Sequence, residues 1–222
     1  MKQSFRMLLL LLLAGAAASL YDTAAAKQAL EQGVIRLHIL ADSDRTSDQT
    51  EKLLVRDAVM QHLQDWVPAD ADYDAACDAI RRSLPAIRQT AEHVLRDAGS
   101  SDPVAVSFGE TPFPARSYGD FTLPAGDYQA LRISIGSGSG QNWWCMMYPA
   151  LCIPAAAEPD PKQDDRALLH SALPESACDI AEQPAKYEVR LKCVDALHAA
   201  VRLLREQLAE KPASPEQRSG HP

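Results

Sequence analysis

The hydrophobic period of this chain changes partway along it, and that change constrains the fold more than any other feature. Between residues 46 and 97 apolar side chains recur every third or fourth position, and between 103 and 153 every second. The first spacing lines one face of a helix, the second one face of a strand. Strand, helices, a block of strands and a last helix is an α+β order. The expected fold is α+β, a mostly antiparallel sheet with two or three amphipathic helices packed on it.

Val34–Leu40 reads as a strand, with Ile35, Leu37 and Ile39 on one face and Arg36, His38 and Leu40 on the other. A polar loop follows, and Thr46 with Gln49, or Asp48 with Glu51, can form a capping box. Val55, Val59, Leu63 and Trp66 make the stripe of the next helix, which Pro68 stops. Tyr73, Cys77, Ile80, Leu84, Ile87, Ala91 and Val94 predict a second helix over about 70–97, and Pro85 inside it predicts a kink or a break. Strands follow at Val104–Phe108, Phe113–Tyr118, Phe121–Leu123 and Leu131–Ile135. A turn falls at Leu123–Asp127, and Trp143–Ile153 is a further apolar segment.

Five prolines punctuate residues 154–185, which predicts a loop-like insertion with a short helix at Arg166–Leu173. Tyr187, Val189, Leu191 and Cys193 alternate as a last strand. Leu197, Val201, Leu204 and Leu208 mark a final helix, and residues 211–222 a disordered polar tail. The expected organisation is a leader at 1–26, one domain over 27–210 and that tail.

Lys2 and Arg6 precede the unbroken apolar run Met7–Leu13, small residues follow through Ser19, and a second small run, Ala24-Ala25-Ala26, precedes Lys27. This is the pattern of a secretory signal, with cleavage fitting after Ala18 or Ala26. Met7–Leu20 falls short of the ~20 apolar residues a bilayer span needs, so export is expected rather than anchoring. Net charge −8 argues against nucleic-acid binding, which needs a basic face. Removing 1–26 takes Lys2, Arg6 and Asp22 and leaves the remainder more acidic, so direct binding to anionic lipid is not expected. Export permits disulfides, and five cysteines leave at least one unpaired within the chain. Cys145 and Cys152 are the candidate pair. Two buried thiols that never meet are the alternative.

The glycines 136–140 match neither a P-loop nor a dinucleotide fingerprint and read as a connection between strands. The six histidines are scattered, without metal-ligand spacing, and no cofactor is expected. Cys145 with His38 and an Asp is conceivable as a nucleophilic site, but no helix start depresses the thiol pKa and there is no nucleophile elbow. His38 beside Asp42 and Asp44 forms a polar cluster at a strand end. There the carboxylates can bond the loop backbone. Trp143, Trp144, Met146, Met147, Tyr148 and Leu151 form the densest run of large apolar residues after the leader. In a strand the two tryptophans face opposite ways. Either the strand is buried on both faces or one face is a docking patch.

Several blocks resemble stage II sporulation protein R. They are Ile35-Arg-Leu-His-Ile-Leu-Ala-Asp-Ser-Asp44 with Asp48-Gln49 and Val55-Arg-Asp-Ala-Val59; Phe108-Gly109 and Phe113-Pro114; and Leu123-Pro-Ala-Gly-Asp-Tyr-Gln-Ala-Leu-Arg-Ile133. Gly136-x-Gly-x-Gly140, Asn142-Trp-Trp-Cys145 and Pro149-Ala-Leu-Cys152 complete the set. The resemblance covers about 33–153, and more loosely the strand expected at 187–193. Asp42 departs from the usual Asn, Ala150 from a second Pro, and Met146, Met147 and Tyr148 from more typical aliphatics and Phe. It implies a signalling protein, not an enzyme. Such proteins are made in the forespore and exported into the space between the forespore and mother-cell membranes. There they trigger a membrane-embedded aspartic protease that processes pro-sigma-E. The candidate receptor-binding residues are Trp143, Trp144 and Tyr148 as anchors, with His38, Asp42, Asp44 and Arg56 as polar rim. The competing readings are an exported envelope hydrolase using Cys145 or the His38/Asp44 cluster, and a small-ligand module lined by the glycine loop and tryptophans.

Overall fold

The structure is a computed structural model and describes residues 2–68, 70–118, 121–149, 153–154 and 165–209. In chain order the elements are α1 (Lys2–Glu31), β1 (Ile35–Leu40), α2 (Thr46–Trp66), α3 (Tyr73–Asp97), β2 (Val104–Phe113), β3 (Arg116–Tyr118) and β4 (Phe121–Leu123). Then come β5 (Gly126–Ile135), β6 (Asn142–Tyr148), β7 (Ile153–Pro154), α4 (Asp165–Ala172), α5 (Glu175–Glu182) and α6 (Pro184–Ala209). The chain divides into two compact units, Ala25–Pro184 and Met1–Ala24 with Ala185–Pro222.

The first unit is built on a five-stranded sheet of order β2-β5-β1-β6-β7, with β3 and β4 as a separate hairpin. β5 pairs antiparallel with β2 and β6 with β1, whereas β1 and β5 run parallel. Every residue of the central strand β1 is buried. Ile35, Leu37 and Ile39 meet Val55, Val59 and Leu63 of α2 and Ile80, Ile87 and Leu95 of α3. The opposite face is covered at one end by Leu30, the β3–β4 residues Tyr118, Phe121 and Leu123, and Leu169, Ala177, Cys178 and Ala181 of α4 and α5. The fold is α+β, with one sheet face packed against α2 and α3 and the other covered at one end.

Local signals account for the helices of this unit. Asp72 caps α3 by accepting from Ala75 N at 2.8 Å. At the other end Gly99 takes φ 81° and Ser100 N donates to Leu95 O at 2.8 Å, closing the helix in left-handed geometry. Pro85 does not split this helix. It sits on the exposed side while Ile80 and Ile87 are buried, so the carbonyl it leaves without a donor faces water. The capping boxes expected for α2 do not form. Its N-cap is Arg45, with no side-chain cap, and Asp48 is engaged elsewhere.

Two further expectations are corrected. The stretch 154–185 is not only loop: α4 coincides with the expected short helix, but α5 follows and buries Ala177, Cys178, Ile180 and Ala181. Tyr187–Cys193 is helical, part of α6, not a strand. Tyr187 with Leu191 and Val189 with Cys193 are i,i+4 pairs, and Leu197 and Val201 extend the second series. A short period-two run therefore also fits a helix. Glu188 and Lys192 add an i,i+4 ion pair at 2.6 Å.

In the second unit, Met7–Leu13 of α1 are exposed apolar residues. The helix over Gln3–Glu31 is long and apolar enough to cross a membrane by length and composition, a test that a signal sequence also passes. It is longer than the apolar stretch Met7–Leu20 on which the sequence expectation rested. The expected tail at 211–222 lies outside the described residues.

Candidate functional site

Two clusters form where β1 ends and β6 begins. The first ties the loop after β1 to the glycine loop between β5 and β6. Asp42 Oδ1 accepts from Ser137 N at 2.7 Å, Ser137 Oγ donates to Asp42 O at 2.8 Å, and Asp44 Oδ1 accepts from Gln141 N at 2.7 Å. Gly140 N donates to Ala41 O at 2.9 Å. Gly136 has φ 57°, and a side chain there would run into the Asp42 carboxylate; one at Gly140 would strike the Ser43 backbone. Both glycines are required by close approach.

α2 braces the same loop. Gln49 Nε2 donates to Ser43 O at 2.8 Å, and Lys52 Nζ donates to Gln141 O at 2.9 Å. Burial pushes the Lys52 ammonium below its ordinary pKa, partly offset by Asp44. Asp48 accepts from Ser43 Oγ at 2.5 Å, Ser47 Oγ at 2.8 Å and Arg45 Nε at 3.1 Å, and these donors hold its carboxyl at about 2. Asp42 and Asp44, expected as rim residues, thus have backbone-tying tasks.

The second cluster lies on the sheet face away from α2 and α3. His38 stands opposite Arg132 of β5 and Trp144 of β6. Its Nε2 lies 3.0 Å from Asn142 Oδ1, and its Nδ1 is buried without a partner. Burial lowers its pKa, and Arg132 and Arg36 lower it further against the Asn142 contact. The imidazole is neutral at pH 7. Trp144 in turn meets Phe113 edge-on at 4.8 Å between centroids, and the Arg116 guanidinium lies 5.6 Å from its ring.

Arg36 lies on the same strand face and is wholly buried. Its Nη2 donates to Tyr118 Oη at 2.6 Å, while its guanidinium carbon sits 4.0 Å from the Phe113 ring centroid and 4.9 Å from that of Tyr128. Nε and Nη1 have no partner, and desolvation lowers its pKa. Ala130 of β5 stands in register with Arg36, and Gly109 of β2 with Ala130.

The predicted anchors do not share a face. Trp143 packs toward α2 with the Arg56 guanidinium 4.4 Å from its ring, and Arg56 also pairs with Asp57 at 2.6 Å. Tyr148 is on the same side, edge-on to Tyr73. Trp144 is on the other. The proposed His38/Asp44 pair is not formed, since His38 meets Asn142 and Asp44 the Gln141 amide. Cys145 is fully buried and disulfide-bonded, which removes it as a nucleophile. Cys152 lies outside the described residues, and Cys77, Cys178 and Cys193 are free thiols. Sequence reasoning missed Arg36, Arg116 and Arg132 as members of this cluster. The available signal was a charged residue inside an otherwise apolar strand, at Arg36 and again at Arg132.

Residues 31–158, the span that contains both clusters, match the profile of the family described as Stage II sporulation protein R. The chain belongs to that family. The Stage II sporulation protein R of Bacillus subtilis (strain 168) is 38% identical over 148 residues, 64% of this chain and 66% of the relative. The match thus spans just under two thirds of that relative's length. No solved structure matches the chain. The block at 35–44 and the glycines 136–140, with Gln141 after them, form the two halves of the loop knot. The Asn142-Trp-Trp-Cys145 block supplies one residue to each face of the sheet in turn.

Proposed function

We propose that this chain is an exported sporulation signal. It is made in the forespore and carried across the forespore membrane by the leader helix. It then binds the extracytoplasmic face of a membrane-embedded aspartic protease of the mother cell and switches on processing of pro-sigma-E. The family match over residues 31–158 carries this reading, and the apolar N-terminal helix supports export. The chain acts by contact and breaks no bond itself. To activate its receptor it must bind the active conformation more tightly than the inactive one, because equal affinity shifts no population.

Complementation of a deletion strain tests the reading. The full chain restores pro-sigma-E processing and spores, and a form lacking residues 1–26 does not. Full restoration by the truncated form, or none by the full chain, overturns it.

A further inference from the structure

Among the described residues, the elements that cover one end of this sheet face leave side chains exposed at the end that holds Trp144. That end combines exposed cations with a half-buried aromatic ring. Across the sheet, Ser107, Arg132, His38 and Trp144 stand in one register row. Ser107 and Arg132 are exposed and Trp144 is half-buried. The next row outward is Ala105, Ser134, Leu40 and Asn142, and it carries no charge. Arg116, also exposed, stands beside Trp144.

In a chain of net charge −8 no carboxylate among the described residues of this face answers its cations. Arg36, Arg116 and Arg132 appear in no ion pair among the described residues. Beneath them His38, 7% exposed, keeps an unfilled Nδ1.

We propose that this face, formed by Trp144, Arg116 and Arg132 over His38, docks an acidic segment of the protein's partner. The inference deepens the functional reading and rests on it for the partner being a protein. Guanidinium groups bind carboxylates in planar two-point contacts. Arg132 and Trp144 are two strands apart, roughly 10 Å, so a segment with carboxylates on either side of an apolar residue spans them. A half-buried tryptophan flanked by arginine is the composition of a protein-interface anchor, which a simple polyanion does not need.

The test uses the full chain purified in detergent, with Trp66→Phe and Trp143→Phe so that fluorescence reports Trp144. It is titrated with the peptide Glu-Glu-Leu-Glu-Glu. Saturable binding is expected, about tenfold weaker for the Gln-for-Glu peptide, at high salt, and in the Arg116→Gln/Arg132→Gln variant. Arg116→Lys/Arg132→Lys retains part of it. In cells the Gln double variant is exported normally but loses pro-sigma-E processing. No binding of the acidic peptide, or equal binding of its Gln counterpart, overturns the proposal. Preference for lipoteichoic acid over the peptide, or full processing by the Gln double variant, also overturns it. If the wild-type chain fails to restore processing while the peptide still binds, the functional reading fails instead.

Discussion

The imidazole of His38 lies flat against the indole of Trp144, with ring centroids 3.8 Å apart and planes 12° from parallel. This contact joins the central strand to β6 and keeps the histidine out of water. A proton on His38 would have to be accommodated in that dry stack, close to Arg36 and Arg132.

Stability should therefore fall as pH drops. With its pKa lowered in the folded state, His38 takes up its proton more readily in the unfolded chain. The stabilisation is complete above the unfolded pKa of about 6.5. It is lost as pH falls from there toward the lower folded value. Denaturant midpoints measured from pH 8 to 5 should decline below about pH 6.5, and His38→Gln should flatten that part of the curve. An unchanged slope in the variant would assign the effect to other groups.

Arg36 separates the contribution of charge from that of volume. Arg36→Ala empties the space between Phe113, Tyr118 and Tyr128 and should cost about 2–4 kcal/mol. Arg36→Met fills that space without a buried cation and should cost under about 1.5 kcal/mol, or stabilise. Equilibrium urea unfolding of both variants decides it. Equal losses would mean that the guanidinium itself is required.

Gly140→Ala should destabilise by about 2 kcal/mol or more, because the new methyl meets the Ser43 backbone, which cannot rotate away. Ser139→Ala, in the same loop, should cost less than about 1 kcal/mol. Thermal unfolding of the two variants makes the comparison, and equal shifts would remove the close-approach argument.

The cysteines make a chemical prediction. In the native protein a thiol reagent should label Cys193, which is exposed, and leave Cys77 and Cys178 untouched, because both are buried. Burial also raises the pKa of these two thiols. Cys145 should resist labelling until reduced, since it is already in a disulfide. Peptide mapping by mass spectrometry reads all four, and rapid native labelling of Cys77 would contradict the packing of α3.

Elements with strong local signals were legible in the residues. β1, α2 and α3 each carry a clear alternation or apolar stripe, whereas the turn expected at Leu123–Asp127 shrinks to Pro124 and Ala125 because β5 already begins at Gly126. α6 was misread over Tyr187–Cys193 because a short period-two run is also a pair of i,i+4 contacts. The candidate site was legible in part. Asp42 and Asp44 were recognisable as a polar cluster beside His38, and the glycines separately as a connection between strands, but not that the carboxylates tie the two loops together. Trp143 and Trp144 were recognisable as opposed, but not which ring would meet Arg56 and which His38.

Periodicity and short motifs thus determined that this is an α+β chain with an apolar N-terminal helix, because both report on contacts within a few residues. The tertiary structure decided the rest. Parallel pairing set β5 beside β1 and so brought Arg132 to His38. The β3–β4 hairpin closed over Arg36 by placing Tyr118 against it. Those contacts join residues 82 or more positions apart, and alternation along a strand states only which residues share a face, not what will cover it.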